Sequence, residues 1–259
     1  MVEHVFNADS SGSVVLNLTL PLGRITVTVD RELERARVIL RTEDTTGPGA
    51  DAVRRATTQH SGRQMSVQVP EIPGAVMMSG NGGGSRITQT ASTVAFGQTV
   101  TGLTFVNGRL ITAGTSMPTI RPIDAIVTLP AQSSLAVVTT SADTTVHGKL
   151  ARLTVHSVSG DVTAMTAHVL EAHTTSGDIE AEIVTGELLA HSVSGDVRVL
   201  SYRGDTANAT TTSGDVHLTA TAEATGFITA QSVSGDVKVT GARHLNPRVR
   251  SVSGYALAH

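Results

Sequence analysis

The chain has 259 residues, a formal net charge of -3, 2% aromatic residues, no Trp and no Cys. These values exclude disulfides and thiolate metal sites, and they offer no basic, aromatic face on which nucleic acid would stack. Val, Ile, Leu, Ala and Thr dominate instead, the β-branched mixture that packs on pleated surfaces.

Met1-Val2-Glu3-His4-Val5 lacks a charged segment followed by an apolar run, and no apolar stretch reaches 18 residues. The expectation is a soluble, cytoplasmic protein with no signal peptide and no membrane insertion. In chain order, Val14, Leu16, Leu18 and Leu20 alternate with polar residues, and Ile25, Val27 and Val29 do the same after Pro21-Leu22-Gly23. That pattern predicts a β-hairpin. A strand over Ala36 to Arg41 follows. A short helix is expected over Asp51 to Thr58, with Asp51 as its cap after Gly-Pro-Gly. Arg63 to Val69 returns to strand.

Residues 74–120 differ in character. Gly80-Asn81-Gly82-Gly83-Gly84 breaks regular structure. Asn107-Gly108 between Thr104-Phe105-Val106 and Arg109-Leu110-Ile111 predicts an exposed hairpin. The chain therefore divides into an N-terminal β-rich region at 1–73, a Gly-rich insertion at 74–120 and a repeat region at 121–259. Strands resume at Ile123 to Leu129 and Leu135 to Thr140.

The repeat region carries Ser-Gly-Asp at Gly160, Gly177, Gly195, Gly214 and Gly235, and Ser-Gly-Tyr at Gly254. A degenerate copy, Ser141-Ala142-Asp143, precedes them. The glycines are 17, 18, 19, 21 and 19 residues apart, a period that marks a stacked repeat. After each glycine, polar and apolar residues alternate and place Val162, Ile179, Val197, Val216 and Val237 inward. Before it, the residues three, five and seven positions back are apolar or small, as a thin β-interior requires. Glycine is expected to supply a positive-φ turn, and the following Asp to bond nearby amides. Ser-Val-Ser-Gly and Thr-Thr-Ser-Gly alternate in part, so one or two motifs per coil are both open.

This array, following Ile126-Val127-Thr128-Leu129-Pro130-Ala131, resembles the bacterial β-strand-repeat "putative adhesin" domains of unknown function, which are related to the toast-rack domains. The resemblance implies an all-β fold: a single-stranded right-handed β-helix, or β-solenoid, with an N-terminal β-hairpin region and one short helix. It implies little about activity.

The functional candidates lie in columns. Asp161, Asp178, Asp196, Asp215 and Asp236 would stack and repel, so a cation ladder is one reading and turn chemistry the other. His156, His173 and His191 share one repeat position and are weak candidates for a transition metal, against a plain polar face. Val158, Val193, Val233 and Val252 form an outward β-branched stripe, a candidate interface. Tyr255 and Leu257 in the last copy, which no capping helix follows, are candidates for self-association, and Phe105 and Val106 for partner binding through the insertion. The expectation is a non-catalytic scaffold with no cofactor and itself as partner. An envelope-associated, adhesin-like module recruiting an unidentified protein is the alternative, and a polysaccharide-acting β-helix enzyme is more remote.

Overall fold

The computed structural model describes residues 1–72 and 121–259 and, between them, the backbone of five short strands. In chain order the elements are β1 (Val2–Asn7), β2 (Val15–Asp30), β3 (Arg37–Thr42), α1 (Pro48–Arg54), β4 (Thr57–Ser61) and β5 (Gln64–Gln68). The short strands are β6 (Val76–Ser79), β7 (Arg86–Gln89), β8 (Thr104–Val106), β9 (Arg109–Ile111) and β10 (Thr119–Ile120). Then come β11 (Ile123–Pro130), β12 (Ser134–Ser157), β13 (Val162–Thr174), β14 (Ile179–Val184), β15 (Glu187–Ser192), β16 (Val197–Tyr202) and β17 (Thr206–Thr211). The last are β18 (Val216–Ala220), β19 (Phe227–Ser232), β20 (Val237–Thr240), β21 (Arg248–Ser251) and β22 (Ala256–Ala258).

From β2 onward the repeat strands pair in parallel with the equivalent strand one coil away. β14, β16, β18, β20 and β22 form one ladder. β15, β17, β19 and β21 form the other. β13 bends at the corner and joins both, pairing with β14 through its first half and β15 through its second. Each coil therefore holds two strands and one Ser-Gly-Asp motif, which settles the question the alternating motif left open.

Alternation selects the interior. Leu153 and Val155, Leu170 and Ala172, Leu188 and Ala190, Ala207 and Ala209, and Ile228 and Ala230 are all buried from one sheet. Val162, Ile179, Val197, Val216 and Val237 are buried from the other. One apolar cluster runs from Phe6 to Ala242 and includes residues from before position 73 and after position 120.

The hairpin expected over Val14–Val29 is replaced by one continuous strand. The two halves of β2 do not pair with each other. Val15–Leu20 lies beside Ser134–Thr139, and Leu22–Thr28 beside Ser141–His147, both in parallel. On its other side β2 meets β5 and β11, again in parallel. Pro21-Leu22-Gly23 is thus a corner of a coil, and the position requires glycine, because φ is 130 there and a Cβ would overlap the Ile123 backbone.

The short helix begins earlier than expected. Pro48 occupies its first turn, where a missing N–H costs nothing. Gly47 is the N-cap, and no side chain caps the helix. Asp51 lies inside the first turn and pairs with Arg54 at 3.0 Å. Ala50, Ala52 and Val53 are buried, and His4 Nδ1 meets the Val53 carbonyl at 3.2 Å, which ties the helix to β1. β8 and β9 pair antiparallel with Val106 opposite Arg109, the register expected around Asn107-Gly108.

The repeat glycines act differently from expectation. None of Gly160, Gly177, Gly195, Gly214, Gly235 and Gly254 has positive φ. Their requirement is space: a Cβ on any of them would sit 2.6–2.7 Å from the carbonyl carbon of the preceding coil's glycine, or of Ala142 for Gly160. Gly195→Ala is expected to destabilise the fold by about 3 kcal/mol, the upper end of overpacking costs, measured by denaturant unfolding; a change near zero would contradict this packing.

Thr144 interrupts the inward column between Ile25 and Val162. It is 1% exposed, and its hydroxyl has no hydrogen-bond partner. Thr144→Val is expected to stabilise the protein by about 1 kcal/mol, because it removes an unsatisfied buried group. A lower denaturation midpoint in the variant would refute this.

Candidate functional site: the columns of the solenoid

Two polar positions of the repeat have a defined partner in their own turn or the neighbouring coil: the Asp after each glycine and the Ser or Thr three residues before it. The Asp after each glycine offers Oδ1 to the backbone N–H of the next coil's equivalent residue. Asp143 accepts from Asp161 at 3.2 Å and Asp161 from Asp178 at 3.0 Å. Asp178 accepts from Asp196 and Asp196 from Asp215, both at 2.8 Å. Asp215 accepts from Asp236 at 2.7 Å and Asp236 from Tyr255 at 2.9 Å. In the other direction, Val162, Ile179, Val197 and Val216 donate to the carbonyls of Asp178, Asp196, Asp215 and Asp236 at 2.8–2.9 Å. The carboxylate column therefore acts as a strut between coils, its acceptor bonds reaching amides about one coil away rather than amides of the same turn.

A second ladder was not visible as such in the repeat alignment. The residue three before each glycine carries a hydroxyl, buried in every copy but the last, where Ser251 is partly buried. Thr139, Ser157 and Thr174 accept from the N–H of Ala142, Gly160 and Gly177 at 2.7–3.0 Å. Ser192, Thr211, Ser232 and Ser251 instead donate to the glycine carbonyl of the preceding coil at 2.7–3.3 Å. The strict Ser-or-Thr choice at this inward position was its sequence signal: packing alone would accept Ala or Val, whereas a buried acceptor asks for a donor.

The histidines are brought together. His156 pairs with His173, and His173 with His191, in the parallel register. The first two rings stack with centroids 5.1 Å apart and planes at 6°, and the next pair is 6.1 Å apart at 50°. His191 Nδ1 lies 2.8 Å from Thr210 Oγ1. His173 Nε2 lies 3.8 Å from Glu171, which also faces Arg152 at 3.8 Å. Together with Val138, Val158 and Val193 the rings line a shallow cleft of about 430 Å³. Among the described residues, no group of three or more His, Asp or Glu side chains is placed to hold a metal ion.

The Val stripe faces outward as alternation predicts. Val158, Val193, Val233 and Val252 are all exposed, with Thr175 and Thr212 between them. Tyr255 is 82% exposed and Leu257 half exposed. The side chains of Phe105 and Val106 lie outside the described residues, as does the remainder of the insertion apart from its short strands. No helix among the described residues is long and apolar enough to cross a membrane.

Partial burial holds the His173 imidazole below the usual histidine value of 6.5; the His156 ring adds to this, Glu171 opposes it and His191 adds again. A lowered folded-state pKa means that the unfolded chain takes up its proton first. Stability is therefore unaffected well above pH 6.5 and falls as pH drops through 6.5 to the folded value. Ring-proton NMR is expected to show His173 titrating below 6.5, and His156→Gln is expected to raise it. A wild-type value above 6.5 would contradict the geometry.

With the columns described, three comparisons place the chain. No curated protein matches it. Among solved structures it is similar to a "putative adhesin" from Bacteroides fragilis, with TM-score 0.51 and 12% identity over 98% of this chain and 95% of the other. It is also similar to a "putative lipid binding protein" from Parabacteroides distasonis, with TM-score 0.44 and 12% identity over 98% and 96%. A "putative adhesin" from the same organism gives 0.40 and 8% over 98% and 95%. The first of these shares the fold with this chain. The model of the family described as Toastrack DUF4097 matches residues 42–256, and the chain belongs to that family.

Proposed function

We propose that the protein is a non-catalytic binding scaffold, a right-handed β-solenoid that presents outward side-chain columns and associates with further copies of itself. The observation that carries this reading is the use of the repeat motif. Gly fits the coil spacing, Asp Oδ1 and the Ser or Thr three residues before Gly bond neighbouring turns or coils, and Val or Ile fills the interior, so these positions of the repeat serve the stack. Binding then belongs to the outward stripes and to the coil edge formed by 248–258. Right-handed winding is the sense that parallel strands joined by crossovers adopt in nearly all proteins.

Self-association has a complementary pair of edges to draw on. β21 and β22 each have a lateral partner on one side among the described residues. Val252, Tyr255 and Leu257 surround that edge, and Tyr255 replaces the Asp of the other copies, so an exposed ring stands where a carboxylate stands elsewhere. At the opposite end β1 pairs only with β3 among the described residues. β1 is antiparallel to β3, which is antiparallel to β11. β1 therefore runs in the direction of the solenoid strands, and its edge extends the sheet of a second copy in the same sense. A parallel edge of this kind can take an added strand, and an exposed aromatic supplies the anchor.

Size-exclusion chromatography with light scattering over a range of protein concentrations tests the assembly. The expected result is a mass above that of one chain that rises with concentration and returns to one chain in Tyr255→Asp/Leu257→Glu. A wild type that stays monomeric at high concentration would sink the proposal.

A further inference from the structure

The corner of the solenoid opposite the Ser-Gly-Asp turns carries a cavity of about 440 Å³ that the repeat does not account for. It forms where the regular stacking breaks. The pairing of β12 with β13 shifts register between Val146 and Lys149, and Gly148 sits in this bulge at φ 101. Across from it the turn after β11 passes through Gln132 at φ 60. Bulges re-aim side chains and recur beside binding sites. Here the two irregular turns leave a gap between the end of β2 and the middle of β12, and a Cβ on Gly148 would lie 3.0 Å from the Val29 side chain at its floor.

The lining has one sign of charge. Arg31, Lys149 and His168 all face the cavity, and no acidic side chain lines it. Neither Arg31 nor Lys149 belongs to an ion pair among the described residues, so no carboxylate among them neutralises either. The remaining wall comes from the short apolar side chains of Val29, Ala131 and Ala151, with Gly148 and the polar Gln132. A concave site of this volume, mostly apolar with a few convergent polar groups, has the form of a small-molecule pocket.

We propose that this cavity binds a small organic anion: a carboxylate or phosphate head held by Arg31 and Lys149 with His168 at the rim, and a short apolar body against Val29, Ala131 and Ala151. Arg grips the planar or tetrahedral anion through paired N–H donors, while Lys contributes a point charge. The site involves neither the outward stripes nor the coil edge, so it stands or falls independently of self-association.

Hexanoate, hexyl phosphate and inorganic phosphate, titrated separately into the full chain at low salt and followed by amide chemical shifts and calorimetry, test the site. One equivalent of hexanoate or of hexyl phosphate is expected to bind saturably and to shift amides around Gln132 and Gly148–Ala151. Inorganic phosphate is expected to bind at least about tenfold more weakly, since it lacks the apolar body. Arg31→Gln/Lys149→Gln, two exposed positions, is expected to weaken both organic anions by at least about tenfold while leaving the unfolding midpoint and the mass in solution unchanged. Saturable binding of hexanol as tight as that of hexanoate, undiminished binding in the double variant, or no shift at these amides with any organic anion would overturn the proposal.

Discussion

The structure depends on how closely consecutive coils approach at one corner. At the glycine column the backbone of each turn lies against the carbonyl of the turn before it, and no side chain fits between them. That approach brings the Asp Oδ1 of one coil within hydrogen-bond distance of the next coil's amide, and it brings the buried Ser or Thr hydroxyl to the glycine backbone. It also keeps both ladders in register, because the turns pair as regularly as the strands: the amides of Ser176, Ser194, Ser213 and Ser234 each donate to the preceding turn at 2.8 Å. Stability in such a stack is carried by interfaces between neighbours, and these columns are the polar part of each interface.

The same constraint separates structure from function. Side chains that point into or along the coil contact are committed to it, so the residues free to meet another molecule stand outside it: the imidazole stack with its Val neighbours, the edge at 248–258, and the cationic cavity at the bulge. These regions differ in chemistry although they share one framework. The imidazole face carries three neighbouring rings, the edge is apolar around an exposed ring, and the cavity is lined by cationic and apolar side chains. A fold whose repeats stay constant while its outward positions vary permits this, and fold membership alone names none of the ligands.

Much of the architecture could be read from period and alternation. The spacing of the glycines marks a stacked repeat but leaves the number of motifs per coil open, and the positions three, five and seven before Gly160, Gly177, Gly195, Gly214 and Gly235 are buried where alternation puts them. What escaped depends on distant partners. Pro21-Leu22-Gly23 has the chemistry of a hairpin turn, yet β2 bends there without pairing with itself, because β11, β5 and β12 lie on its two sides. Positive φ is the common local reason for glycine and the one the motif suggests, whereas the reason here is a carbonyl about 18 residues away. The helix was placed on Asp51 because an acidic residue resembles a cap, while Gly47 and Pro48 in fact start it. The Asp and His columns were both visible. Only their side-chain partners distinguish a strut between amides from a face of stacked rings. The cavity at Gly148 had no sequence signal beyond a glycine outside the repeat frame.

The central claim is that the Ser-Gly-Asp column couples one coil to the next. Amide hydrogen exchange at Asp196, in the wild type and in Asp178→Ala, tests it most directly, since Asp178 Oδ1 is the acceptor for that amide at 2.8 Å. The account predicts slow exchange in the wild type, comparable to the neighbouring strand amides, and a selective loss of protection at Asp196 in the variant. Rapid exchange at Asp196 in the wild type, or unchanged protection in the variant, would contradict it.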